Sequence, residues 1–331
     1  MRRKNVEELL RNSNGDYISG EAMSQELGIS RAAIWKQIQA MREAGYQIEA
    51  APRKGYRLAA VPDLISSELI SGYLGEHPWA GNIHYLDTVG STNTFLKQMA
   101  EEGAPHGTVV IAGEQTQGRG RLGRSFVSPK GCGIYLSALL RPESPPDRLS
   151  HVTALAAVAA ADAIERVTQV HTEIKWPNDL VAEGKKLVGI LTELSVEWET
   201  ARTQYLVIGI GINANHTMED FPGELQGTAS SLALLSGRRV ERGRLAAELI
   251  RNLSNVQPED SVACHLALEK YRKRCLTIGK RIQVLRAGQS RTGFAVDVSS
   301  DFGLLVRYDD GSSELVNSGE VSVRGLYGYT E

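Results

Sequence analysis

The chain has 331 residues, 42% of them hydrophobic and 23% charged. That is enough apolar material for two or three domains with real cores. With 37 Lys and Arg against 39 Asp and Glu the net charge is −2, so the molecule as a whole is no polyelectrolyte. Collagen-like, disordered and disulfide-scaffold classes are excluded.

Cys132, Cys264 and Cys275 form no CxxC and no metal-ligand spacing, and the seven histidines stand singly. The sequence therefore predicts reduced thiols and no protein-only metal cluster. The N-terminus carries charge without an apolar core of the signal-peptide kind. The longest apolar stretch, Val152 to Ala161, falls short of the ~20 residues of a membrane span and reads as a buried helix. The expectation is a cytoplasmic protein with no membrane partner.

Basic charge gathers at the start. Residues 1–60 hold ten Lys and Arg against seven Asp and Glu, and Ser30 to Arg57 hold six against two. Val6 to Arg11 reads as a helix. Ser19 to Leu27 reads as a second, with Ser19 as N-cap and Gly28 as its stop. Ser30 opens a third that ends near Gly45, with Ile34, Ile38 and Met41 on one apolar stripe. Helix, tight turn and helix make a helix-turn-helix. Its second helix would bring Ser30, Arg31, Ala32, Trp35 and Lys36 toward bases and phosphates. Trp35 is open to two readings, packing against its own domain or contact with DNA. Tyr46 to Glu49 and Gly55 to Leu58 read as strands of a wing, with Arg53 and Lys54 at its tip for phosphate contact.

Residues 59–63 read as a linker. Beyond them helices and strands interleave. Ile83–Leu86, Thr108–Glu114, Ile134–Leu140, Leu187–Leu194 and Tyr205–Ile212 read as strands. Ser91–Glu101, Ser150–Val167 and segments near 242–254 and 262–274 read as helices. From Ile278 short runs alternate with turns, among them Asp310-Gly311, as in a small β-barrel. The expected domains are 1–61, 62–276 and 277–331.

Gly118, Gly120 and Gly123 spell G-x-G-x-x-G. No helix opens after them, so a dinucleotide fingerprint is rejected. Arg119, Arg121 and Arg124 lie among these glycines. That composition suits a loop that orders over a phosphate-bearing ligand. The bland reading is a basic surface loop. Lys175-Trp176-Pro177-Asn178-Asp179 ends a short strand, and Lys186 starts an apolar one. Lys186 can neutralise a carboxylate or phosphate, or serve as an edge lysine against aggregation. Gly209-Ile210-Gly211-Ile212-Asn213 permits close backbone approach at a strand end. Gly90-Ser91-Thr92-Asn93 opens a helix, and capping is the default role for its hydroxyls. Neither a Ser-His-Asp triad nor a carboxylate pair is identifiable. That favours catalysis by positioning and charge neutralisation.

The segments GSTN at 90–93, GRGRLGR at 118–124, KWPND at 175–179, KKLVGIL at 185–191 and GIGINAN at 209–215 occur in the order found in biotin protein ligases. With the winged helix before them and the β-domain after, the chain resembles the bifunctional ligase and biotin operon repressor type over its whole length. The resemblance implies an α+β multidomain fold. Its parts are an N-terminal winged helix-turn-helix, a central mixed α/β domain like class II synthetases and a C-terminal SH3-like β-barrel. It implies activation of biotin by ATP with Mg²⁺ to biotinyl-5′-AMP, then transfer to a lysine of a biotin carboxyl carrier domain. It also implies an adenylate-bound homodimer on operator DNA.

Carried over by position, Ser91, Thr92, Asn93 and Gln115 line the ureido end. Arg119, Gly120 and Arg121 form the loop over biotin and phosphates. Lys186 meets the carboxylate and the transferring phosphate, and Gly189 and Leu191 wall the tail. Arg121, Arg124, Asn178, Asp179 and Asn213 hold the nucleotide and metal. Arg119, Lys186 and Asp179 are the catalytic candidates. The segment His216 to Thr228 is expected over the adenine, with Phe221 as its aromatic. Phe126 stands where relatives often carry Trp. The alternatives are a lipoate-type ligase and a ligand-sensing repressor without ligase activity.

Overall fold

The computed structural model describes residues 5–323 apart from 14, 44, 61–62, 198, 200–201, 287–288 and 318–319. Val61 and Pro62 of the expected linker, and residues 324–331 of the expected barrel, lie outside the described residues. The chain divides into two compact units, Met1–Leu64 and Ile65–Glu331.

The first unit is built from α1 (Val6–Asn12), α2 (Gly20–Leu27), α3 (Arg31–Glu43) and the hairpin β1 (Gln47–Ala51) and β2 (Gly55–Ala60). Ser19 caps α2, accepting from Ala22 N at 3.0 Å. Gly28 stops it in the left-handed conformation, φ 66°, which a side chain rarely adopts. Ser30 accepts from Ala33 N at 3.2 Å and opens α3. Ile34 and Ile38 are buried with Val6, Leu9, Leu10, Met23 and Ile48, whereas Met41 only flanks that core. Ile18 pairs with Tyr56 and ties the hairpin to the segment before α2.

The second unit begins with α4 (Ser67–Leu74), β3 (Ile83–Leu86), α5 (Thr92–Glu101), β4 (Val109–Ala112), β5 (Ile134–Leu140) and α6 (Val152–Thr168). It continues with β6 (Glu173–Lys175), β7 (Asp179–Ala182), β8 (Lys185–Glu197), β9 (Arg202–Ile212), α7 (Leu232–Ser236), α8 (Arg242–Leu253) and α9 (Ser261–Arg274). The strands form one sheet in the order β3-β4-β5-β9-β8-β7-β6, antiparallel except for β3 with β4. Alternation along each strand divides the apolar residues between the two faces. Leu136, Ala138, Ile208 and Ile210 belong to the main core, which contains the alanines of α6 and the inner face of α8. Leu139, Val207 and Tyr205 pack instead with Leu96 and Ala100 of α5.

The helix expected from Ser150 starts at Val152, after a 3₁₀ turn over Pro146–Leu149. Helix α4 carries too short an apolar pattern to be read from the sequence.

Strands β10 (Arg281–Arg286), β11 (Gln289–Val298), β12 (Leu304–Tyr308), β13 (Ser313–Val316) and β14 (Glu320–Val323) form an antiparallel sheet in the order β13-β12-β11-β10-β14. Its inward residues, Ile282, Val284, Leu304 and Val306 among them, join the main core. Trp176 fixes this sheet to the central domain. Its indole Nε1 donates to Phe302 O at 2.9 Å and its backbone N donates to Thr277 Oγ1 at 3.1 Å. Among the described residues no helix is long and apolar enough to cross a membrane.

Candidate functional site

A cleft opens on the α5 face of the central sheet. Its floor follows from strand register. Ser137, Gly209 and Leu191 lie side by side across β5, β9 and β8, and Tyr135, Gly211 and Gly189 form the next row. The glycines are needed for space. A Cβ on Gly209 would stand 2.1 Å from Asn93 Oδ1, and one on Gly211 would stand 2.4 Å from the Phe126 ring. Asn93 and Phe126 therefore rest directly on the backbone of β9.

Ser91, Thr92 and Asn93 form one wall, at the start of α5. The default capping role fails. Ser91 is the N-cap but makes no side-chain cap bond. Thr92 N instead donates to Gln115 Oε1 at 2.9 Å, with Thr92 Oγ1 3.0 Å from the same oxygen. Gln115 Nε2 in turn donates to the buried Ser128 hydroxyl at 3.0 Å. Asn93 spans the floor, with Oδ1 2.6 Å from Ser137 Oγ and Nδ2 donating to Leu191 O at 3.2 Å and Glu193 Oε2 at 2.8 Å.

The roof is the segment from Gln115 to Phe126. Its strands meet at Arg119 and Ser125, and a 3₁₀ turn over Arg121–Gly123 makes its tip. Arg121 Nη1 donates to Asn178 Oδ1 at 3.0 Å, and Asn178 Nδ2 donates to Ile190 O at 2.9 Å. Lys186 Nζ donates to Asp179 Oδ1 at 2.8 Å, so Lys186 faces the cleft and the edge-lysine reading falls. Arg119, Arg121, Arg124, Lys175 and Lys186 line the cleft against one carboxylate, Asp179. Such an excess of cations in a concave site attracts an anion.

Of the residues singled out in the sequence, Ser91, Thr92, Asn93, Gln115, Arg119, Gly120, Arg121, Arg124, Asn178, Asp179, Lys186 and Gly189 all line this one cleft. Asn213 does not. It is buried, with its Nδ2 3.5 Å from Lys186 O. Phe221 is also buried and stacks on His216 at 5.2 Å, away from the cleft lining.

The end of the segment from His216 acts as a strap. Lys186 N donates to Thr228 O at 2.9 Å and Ser230 N donates to Lys186 O at 3.0 Å. Ser231 Oγ closes it onto His216 O at 2.7 Å. Burial pulls the His216 pKa down to about 4. Cys132 is buried with its thiol toward Pro129 O, outside the cleft lining.

Sequence reading quoted Lys175 in the KWPND segment without giving it a role, and it missed Ser128, Ser137 and Glu193. Of these three only Ser137 left a signal, as a serine in the buried run Ile134–Leu140.

In the first unit, Ser30, Arg31, Ala32, Trp35 and Lys36 are exposed on or beside α3, and Arg53 and Lys54 are exposed at the hairpin tip. Trp35 is 57% exposed, so packing against its own domain is not its role. Arg57 is paired with Glu49.

Among the described residues no three His, Cys, Asp or Glu side chains are grouped to hold a metal ion.

Comparison with known proteins places each region. Residues 85–213 match the biotin/lipoate A/B protein ligase family, residues 2–57 an HTH domain and residues 277–324 the biotin protein ligase C-terminal domain. The bifunctional ligase/repressor BirA of Bacillus spizizenii is 35% identical over 320 residues, covering 96% of this chain and 97% of that protein. Its Escherichia coli counterpart is 31% identical over 315 residues, covering 94% of each. The structure of biotin protein ligase from Aquifex aeolicus in complex with biotin and ATP aligns with a TM-score of 0.61 at 29% identity. It covers 73% of this chain and 98% of that one. The chain belongs to the family of bifunctional biotin protein ligases and repressors.

Proposed function

We propose that the protein joins biotin to ATP as biotinyl-5′-AMP, releasing pyrophosphate. It then passes the biotinyl group to a lysine of a biotin carboxyl carrier domain, and AMP leaves. With the adenylate bound it represses transcription through its helix-turn-helix. The observation that carries this reading is the polarity of the cleft. Neutral hydrogen-bonding groups gather around Thr92, Lys186 and Arg121 bond to the neighbouring Asp179 and Asn178, and Arg119, Arg124 and Lys175 complete a cationic lining.

Ser91, Thr92, Asn93 and Gln115 receive the ureido head, and Gly189 and Leu191 give the tail an apolar channel. The biotin carboxylate and the α-phosphate repel each other. Lys186, Arg119 and Arg121 neutralise both and bring the attacking oxygen in line, which is electrostatic catalysis by fixed charge. Arg124, Asn178 and Asp179 receive the nucleotide, and Asn213 supports Lys186 through its backbone. Asp179 steers the Lys186 ammonium in the resting state. The roof from Gln115 to Phe126 excludes water from the acyl-adenylate.

The oxygens of Asp179 and Asn178 fit Mg²⁺, which takes one or two protein oxygens and completes its shell with phosphate and water. When bound it neutralises phosphate charge.

The same adenylate-bound form is a homodimer. The edge of β8 from Thr192 onward supports this, since β7 pairs only as far as Gly189 and no described strand covers the rest. Free strand edges pair readily with a second chain. Two winged helices then read an inverted repeat.

Pyrophosphate exchange into ATP tests the first half-reaction. Exchange that requires biotin is the expected result, exchange with lipoate alone supports a lipoate ligase, and biotin binding without exchange leaves a sensor only. For the DNA arm, Lys36→Ala is expected to reduce the salt slope of operator binding by about one. An unchanged slope removes Lys36 from the interface.

A further inference from the structure

The wing of the first unit carries a third cation beside the two at its tip, and a carboxylate already holds it. Strand alternation sorts the side chains of the hairpin between its two faces. Ile48, Tyr56 and Leu58 pack on the core of the first unit. Glu49 and Arg57, opposite each other in the register of β1 and β2, therefore stand on the other face. There Arg57 Nη2 donates to Glu49 Oε2 at 2.5 Å, and Tyr17 Oη donates to the same oxygen at 3.0 Å. The bond from Arg57 first, and that from Tyr17 after it, hold the Glu49 pKa below the ordinary glutamate value. Glu49 is thus ionised at neutral pH.

Tyr17 gathers cations as well. The Arg57 guanidinium lies 5.0 Å from the centroid of its ring, and Lys54 Nζ lies 5.9 Å from the same centroid. Such contacts with a ring face attract cations. Arg57 and Lys54 therefore share one ring, and a phosphate backbone that reaches Lys54 also comes within range of Arg57. The two differ in what holds them. Lys54 stands exposed at the hairpin tip, whereas Arg57 is paired with Glu49. The Glu49 side chain is 48% exposed and that of Arg57 38%. An ion pair this open to water adds little to stability. Its larger consequence is electrostatic, because it cancels one positive charge beside the phosphate-contacting tip.

We propose that Glu49 is a charge gate of the wing: it holds Arg57 off the DNA backbone, so that the wing engages phosphate through Arg53 and Lys54 alone and sequence-independent binding stays weak. This rests on the reading that the first unit binds DNA as a winged helix. Phosphate contacts add affinity without sequence information. Each one withheld leaves a larger share of the binding to the base contacts of α3.

The test is fluorescence anisotropy of the full chain, with biotin and ATP, on a labelled duplex of mixed sequence over a series of salt concentrations. Glu49→Gln keeps the size of the side chain and removes its charge. It is expected to tighten binding about tenfold at low salt and to steepen the salt slope by about 0.9 for each wing bound. Glu49→Gln combined with Arg57→Ala is expected to return to the wild-type slope, since the released cation is gone.

An unchanged slope in Glu49→Gln overturns the proposal. A double variant that keeps the whole gain also overturns it, because Glu49 then acts on DNA by repulsion alone and not through Arg57. If Glu49→Gln does not fold, Glu49→Thr, an uncharged strand former, takes its place under the same criteria. A wild type that binds no duplex at the lowest salt overturns the DNA-binding reading instead, so the two failures are distinct.

Discussion

At its two ends the same cleft is prepared for a ligand in opposite ways. Around Asn93 the side chains of Thr92, Asn93, Gln115, Ser128 and Ser137 already have protein partners within 3.2 Å. Elsewhere in the lining five basic side chains stand with one carboxylate, Asp179, which Lys186 holds. The first group is bonded within the protein and presents fixed directions. The second carries an excess of cations that favours an anion. Preorganised neutral groups discriminate, because a mismatched ligand leaves a buried partner unsatisfied. Clustered cations, on the proposed function, stabilise charge that converges only as the carboxylate meets the phosphate.

Breaking the cation end carries the largest expected effect. Lys186→Ala should lower the rate of biotin-dependent pyrophosphate exchange by on the order of 10²–10³, with biotin affinity changed far less. Unchanged exchange kinetics would remove Lys186 from the chemistry.

The head end should show the reverse pattern. In Gly209→Ala the new methyl group would stand 2.1 Å from Asn93 Oδ1, so Asn93 must leave its place. Biotin affinity is expected to drop on the order of a hundredfold, measured by calorimetry on protein whose circular dichroism is intact. Affinity held at the wild-type level would show that Asn93 is not tied to the head pocket.

Acid probes the strap behind Lys186. The strap behind Lys186 closes on His216, whose pKa lies near 4 in the fold against an ordinary 6.5. Below about pH 6.5 the unfolded chain takes up the proton that the folded state refuses. Stability present above that pH is therefore lost as the pH falls toward 4. From pH 6.5 to 5 the loss is roughly 2 kcal/mol. Urea denaturation should show a steeper fall in the wild type than in His216→Phe, where His77, His106 and His151 still contribute; parallel pH profiles would mean that His216 titrates freely.

The smallest effect belongs to the roof. Arg121 bridges to Asn178 at 3.0 Å, and Arg121→Ala should shorten the retention of bound adenylate about tenfold. Equal leakage from both proteins would assign the seal elsewhere.

The linear chain is a good guide wherever a structure is made from neighbours. Ser19 as a cap and Gly28 as a stop need only their own helix, and the alternating runs of β5 and β9 need only a buried face. The segments from Gly90 to Asn215 show which residue types would meet, since loops at strand ends carry their chemistry locally. What those residues do to one another was decided in three dimensions. Ser91 makes no cap bond, and Gln115, brought in by the roof, takes the Thr92 N–H. Asn213 and Phe221 leave the cleft because burial claims them first. Trp35 remains outside its core because Ile34 and Ile38 already fill that face of α3. Glu193 and Ser137 are ordinary strand residues on paper. Only sheet register places Ser137, Gly209 and Leu191 in one row under Asn93. Register is a property of paired strands, set by long-range contacts that no single segment encodes.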